Sequence, residues 1–274
     1  CSDYHVRKRL EFIDFTFDYP VAGIEMHTSL RGIPSLMVHL SDDSISIMES
    51  TLDGTPAGRW VTRNLGYAKD VEMGISNSGK PLIMALSSGQ VCNIMTMTVE
   101  GNTGLDYTLD SGTGLGNEMS MAGDSNDYLR IGHSSPDFSS IFYTEENSNG
   151  FTTTMVRSSI DLLYPIGMHV DENDLSRMVY VDDDDNMVRL ATLNGTWNEV
   201  SILNTTIGDD FDSIWIDDEL IFVQIAVSNN STVLQVVEYQ NGTSTVTDIV
   251  NANLTSTFEI DRLDEKLVIS IMDS

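Results

Sequence analysis

Short runs in which apolar and polar residues alternate recur along this chain. Each run breaks at a polar turn and resumes as a second apolar run. The pattern starts at Ile24 ("IEMHTSLRGIPSLMVHL"), Val71 ("VEMGISNSGKPLIMAL"), Asn117 ("NEMSMAGDSNDYLRIGH"), Ile166 ("IGMHVDENDLSRMVYVD"), Asp212 ("DSIWIDDELIFVQIAV") and Ser256 ("STFEIDRLDEKLVISI"). Alternation with period two around a Gly, Asp or Asn turn is the signature of a β-hairpin. With the apolar residue ahead of each turn as anchor (Met26, Met73, Met119, Met168, Ile214, Phe258), successive anchors lie 47, 46, 49, 46 and 44 residues apart. A third strand follows each of the first five hairpins, at Ser44, Val91, Ser140, Met187 and Val233. A fourth follows at Arg59, Leu105, Phe151, Trp197 and Ser244.

Four strands in about 46 residues make one blade of a β-propeller. The repeats cover the whole chain, which resembles six-bladed β-propellers in general. The repeated hairpins carry the resemblance, with Trp60 and Trp197 opening outer strands in two blades. WD dipeptides at blade ends and the paired glycines of kelch repeats are absent. "LNGTW" at Leu193 is only a fragment of the sialidase box. The expected fold is therefore all-β: one domain, 1–274, of six blades with four antiparallel strands each. The blades span about 21–66, 67–113, 114–161, 162–207, 208–253, and 254–274 completed by 1–20. The sixth repeat stops after two strands, and "YHVRKRLEF" and "IDFTFDYP" at the N-terminus supply two more. These are expected to close the ring, with the strand near His5–Phe12 pairing with the one near Lys266–Ile271, so that no sheet edge is left open.

Charge narrows the function. There are 42 acidic and 14 basic residues, for a formal charge of -28. Such a surface repels phosphate, which excludes nucleic acid and anionic lipid as partners. Asp outnumbers Glu 28 to 14 and Arg outnumbers Lys 10 to 4, the balance of a halophilic or marine protein surface, where salt screens carboxylate repulsion. No apolar run approaches the roughly 20 residues of a membrane span. Cys1 and Cys92 make no disulfide framework. A chain starting at Cys matches a lipoprotein start, but strand-like sequence begins by His5 without a flexible tether, so a lipid anchor at Cys1 is not expected. N-x-S/T triplets occur at Asn194, Asn204, Asn229, Asn230, Asn241 and Asn253.

Two groups of residues could carry chemistry. On the innermost strands the polar face presents Glu25, His27, Glu72, Glu118, His169 and Glu259, joined by Ser213 and Trp215. A ring of carboxylates and imidazoles around a channel can bind a ligand or hold a divalent ion; oxygen ligands such as Glu25, Glu72, Glu118 and Glu259 suit calcium. The other reading of these positions is hydrogen bonding between blades beside small residues that permit close packing. The second group is the acidic loop Asp182–Asn186, where Asp182 and Asp184 are further candidate calcium ligands. These groups, with the loops leading into each first strand and those joining second and third strands, would form one functional face. No G-x-S-x-G elbow or HExxH motif occurs. The expectation is a monomeric, non-catalytic binding module, extracellular, periplasmic or on the cell surface, with a protein, glycan or cation as ligand. The alternative is a calcium-dependent hydrolase or lyase at the channel mouth, which would make the chain an enzyme.

Overall fold

The computed structural model describes residues 18–28, 34–51, 59–67, 70–75, 81–86, 92–97, 103–109, 118–162, 165–204, 211–228, 231–251, 257–263 and 266–272. Every regular element among them is a strand. Sheet one holds β1 (Val21–Thr28), β2 (Pro34–Leu40), β3 (Ser44–Thr51) and β4 (Arg59–Tyr67). Sheet two holds β5 (Asp70–Ile75), β6 (Pro81–Leu86), β7 (Cys92–Met97) and β8 (Thr103–Leu109). Sheet three holds β9 (Met119–Gly123), β10 (Leu129–Ser134), β11 (Ser140–Asn147) and β12 (Gly150–Ser158). Sheet four holds β13 (Gly167–Val170), β14 (Ser176–Asp182), β15 (Met187–Asn194) and β16 (Thr196–Asn204). Sheet five holds β17 (Phe211–Ile216), β18 (Glu219–Ser228), β19 (Ser231–Gln240) and β20 (Thr243–Asn251). The last sheet contains β21 (Thr257–Leu263) and β22 (Lys266–Met272).

Each four-stranded sheet is an antiparallel meander in chain order. The sheets meet through their first strands, β1 against β5, β5 against β9, β9 against β13, β13 against β17, and β17 against β21. First strands therefore lie innermost and fourth strands outermost, an arrangement compatible with a propeller. The expected pairing of the N-terminal strand with β22 lies outside the described residues. No helix among the described residues is long and apolar enough to cross a membrane.

The core sits between consecutive sheets, which explains the nearly unbroken apolar second strands. In β14, Met178 and Tyr180 pack with Ile141 and Tyr143 of sheet three, while Val179 and Val181 pack with Phe211 and Phe222 of sheet five. In β18, Ile221, Val223 and Ile225 turn the other way, toward Ile260 of β21. A strand covered on both faces loses its polar alternation, because neither set of side chains meets water. Tyr143 and Trp197 meet edge to face at 5.1 Å across one of these interfaces, a contact contributing about 1 kcal/mol beyond area burial.

The register corrects one anchor. The turns 124–128 and 171–175 have the same length, so Gly123 and Val170, which end β9 and β13, correspond. Met168 then matches Met121, not Met119. Both are buried and lie on one face, two residues apart, so alternation alone could not separate them. Glu118 thereby falls just ahead of β9, and the position matching Gly167 is Ser120.

Among the described residues all five third-to-fourth strand pairs share a register shift, leaving an extra residue in the fourth strand: Leu65, Asp106, Val156, Ile202 and Ile249. A bulge at this place increases the local twist and turns the outer edge away from flat pairing with another sheet.

Candidate functional site

The turns after β9 and β13 are built alike. Asp124 Oδ1 accepts the N–H groups of Asn126 and Tyr128, each at 2.9 Å, and its Oδ2 takes Arg130 Nη2 at 2.6 Å. Asp171 Oδ1 accepts Asn173 N–H at 2.9 Å and Leu175 N–H at 3.0 Å, while Oδ2 takes Arg177 Nε at 3.1 Å and Nη2 at 2.7 Å. Both aspartates are almost wholly buried, at 2% and 5% exposure. The fourth residues, Asp127 and Asp174, take φ of 63° and 59°, a conformation that Asn and Asp tolerate better than most residues. The shared sequence is D-x-N-D-φ-x-R, with φ apolar or aromatic, in "DSNDYLR" and "DENDLSR". The two turns are also tied together: Ser125 donates its N–H to Asp174 Oδ1 at 2.7 Å and its hydroxyl to Oδ2 at 2.5 Å. These bonds hold the Asp174 carboxyl below the usual carboxylate range.

The clamp on Arg177 sets its guanidinium 4.1 Å over the Trp215 ring of the neighbouring sheet. Beside it, His169 Nε2 shares a hydrogen bond with Ser213 Oγ at 2.9 Å. Burial pushes His169 down to about 4, so the ring is neutral near pH 7. Gly167 permits this contact, since a Cβ there would stand 2.0 Å from Ser213 Oγ. Arg177, Trp215, Asp171, His169 and Ser213 thus form one half-buried polar and aromatic seam between sheets four and five. Replacing Asp171 with Ala is expected to cost about 2–3 kcal/mol in urea unfolding, because Arg177 loses its partner in a largely buried place and the turn loses two N–H acceptors.

His169, Ser213 and Trp215 were expected on the polar face of the inner strands, and the structure brings these three together. His169 and Ser213 share their hydrogen bond between sheets four and five, beside Gly167. Glu25 and His27 lie in β1, Glu72 in β5 and Glu259 in β21. Among the described residues no group of three or more His, Cys, Asp or Glu side chains converges to hold a metal ion. Sequence reasoning missed Arg177 and Asp171, although the repeated D-x-N-D-φ-x-R spacing announces them. The seam also lies at the turn end of the inner strands, opposite the loops from which a functional face was expected.

At that opposite end the acidic loop divides. Asp182 is 2% exposed and ends β14. Its Oδ2 takes Arg157 Nη2 at 3.0 Å and Arg189 Nε at 3.2 Å. Arg157 also reaches Glu199 at 2.6 Å, Tyr180 donates its hydroxyl to Glu199, and Arg189 pairs with Asp185. Burial and the Glu199 carboxylate raise Tyr180 well above the usual phenol range. Two guanidinium groups leave Asp182 poorly suited to a cation, and it acts in this network as a staple between sheets three and four. Asp184 is exposed on the turn.

No protein-family model and no curated protein matches the chain. Solved structures do. The SapL1 lectin in complex with alpha methyl fucoside is similar over 93% of this chain and 89% of its own, with TM-score 0.65 and 13% identity. AofleA from Arthrobotrys oligospora is similar over 87% of this chain and 71% of its own, with TM-score 0.61 and 11% identity. An Aleuria aurantia lectin in complex with Fucalpha1-6GlcNAc is similar over 90% and 86%, with TM-score 0.56 and 14% identity. At such identities the likeness is one of fold. That fold is all-β, with four-stranded antiparallel sheets compatible with a propeller.

Proposed function

We propose that this chain is a non-catalytic glycan-binding module, secreted or displayed at a cell surface, whose six sheets close into a ring with the N-terminal strands completing the last. The observation that supports the reading most is the likeness over 93% of the chain to a lectin solved with a methyl fucoside. The seam at Trp215 is the place proposed for the sugar. A pyranose presents an apolar C–H surface and a rim of hydroxyls, so it needs an aromatic group beside fixed, charged hydrogen-bonding groups. Trp215 supplies the first. Arg177 and Asp171 supply the second, and three of the five guanidinium N–H groups are engaged, by Asp171 and Thr192, leaving two to donate. His169, neutral and bonded to Ser213, adds no charge that would have to be desolvated.

The test is titration of the intact chain with alpha methyl fucoside and with the methyl glycosides of mannose, galactose and glucose. At least one sugar is expected to bind saturably. Trp215→Ala is expected to weaken that sugar about tenfold, equivalent to 1.4 kcal/mol, while melting remains cooperative. Saturable binding that Trp215→Ala leaves unchanged would remove the sugar from this seam while keeping the glycan reading.

A further inference from the structure

The tips of the third-to-fourth strand hairpins carry an unexplained regularity, independent of sugar binding. In three consecutive sheets the tip contains Asn-Gly: Asn149-Gly150, Asn194-Gly195 and Asn241-Gly242. Turn geometry accounts for the glycines, whose φ values are 116°, 74° and 81°, and for Asn241 at 51°. It places no demand on the residue that follows. After Asn149-Gly150 that residue is Phe151, but after the other two tips it is Thr196 and Thr243, so that "NGT" occurs twice, 47 residues apart. We propose that Asn194 and Asn241 are acceptor sites for N-linked glycans.

Accessibility supports the assignment. Asn194, Thr196, Asn241 and Thr243 are all exposed. A Cβ built on Gly195 or Gly242 meets nothing within 4 Å, so both tips stand open. β16 and β20 are the outermost strands of their sheets, each paired with a neighbouring strand on one side only. A glycan leaving either tip therefore displaces no core side chain. The tips share the turn end of the sheets with the Trp215 seam; Asn194 ends β15 and Asn241 follows β19, so β14 and β18 lie between these asparagines and the first strands of their sheets. The reaction is transfer from a lipid-diphosphate-linked oligosaccharide. The Asn amide nitrogen bonds to C1 of the first sugar, the C1–O bond to the diphosphate breaks, the lipid diphosphate departs, and the amide gives up one proton. The Thr hydroxyl two residues on is the part of the triplet that the transferase reads beyond Asn.

The experiment is export of the full chain through a eukaryotic secretory pathway, with intact mass and site mapping after enzymatic release in heavy-oxygen water. Glycan is expected at both Asn194 and Asn241. Thr196→Ala and Thr243→Ala leave both Asn-Gly turns in place, and each is expected to remove one oligosaccharide increment, whereas Thr196→Ser and Thr243→Ser retain it. Unmodified asparagine at both tips in the folded, secreted chain would overturn the proposal. So would occupancy that persists in the alanine variants.

Discussion

Gly167→Ala is expected to destabilise the chain by about 2–3 kcal/mol, one of the largest effects of a single methyl group in the structure. The added Cβ would stand 2.0 Å from Ser213 Oγ and 3.1 Å from His169 Nε2. Ser213 could rotate away only by giving up the hydrogen bond to His169, leaving a buried ring nitrogen unpaired. Overpacking costs about 1–3 kcal/mol, and an unsatisfied buried polar atom adds about 1–3 kcal/mol; partial relaxation brings the sum down. For a chain of this size the melting temperature should fall by roughly 3–5 °C. Gly132→Ala is the comparison. Its Cβ would meet Met178 Cε at 2.9 Å, the end of a flexible side chain able to move aside, so a smaller loss is expected. Equal losses in the two variants would mean that the bond between His169 and Ser213 contributes little.

A second large effect is expected in acid. His133 is fully buried, with Nε2 3.2 Å from Thr144 Oγ1 and the ring stacked on Phe142. Burial pushes it from 6.5 to about 4, and His169 is pushed down likewise. Below pH 6.5 the unfolded chain binds these protons and the folded chain does not, so stability falls as pH drops and levels off, for these groups, near pH 4. At 1.36 kcal/mol per pH unit, His133 alone should remove about 2 kcal/mol between pH 7 and pH 5. His169, only partly buried, should remove less. Relief of repulsion among the carboxylates acts the other way, so the reading is the difference between the parent and His133→Gln in urea unfolding. The parent should lose more stability than the variant over this interval. Parallel curves would mean that His133 titrates normally in the folded state.

The strands were legible because their cause is local. Alternation at "SISIMES", "FTTTMVRS" or "WNEVSIL" follows from one strand having two faces, and nothing distant is needed to read it. The bulges were not legible, since Leu65, Asp106, Val156, Ile202 and Ile249 share neither size nor polarity; a bulge is a property of two strands in register. The same limit applied at the seam. His169, Ser213 and Trp215 could be placed on one face from their own strands, but Arg177 reaches Trp215 from another sheet, 38 positions away in the chain. The acidic loop shows the limit most plainly. Asp182 and Asp184 look alike in sequence, yet one is buried against Arg157, 25 residues upstream, and the other faces water.

Glycan-array binding by the intact chain, at neutral pH and moderate salt, tests the glycan-binding reading most directly. Saturable binding to one sugar or a related group is expected, with competition by the corresponding free methyl glycoside. A chain that melts cooperatively yet binds no sugar on the array would contradict it.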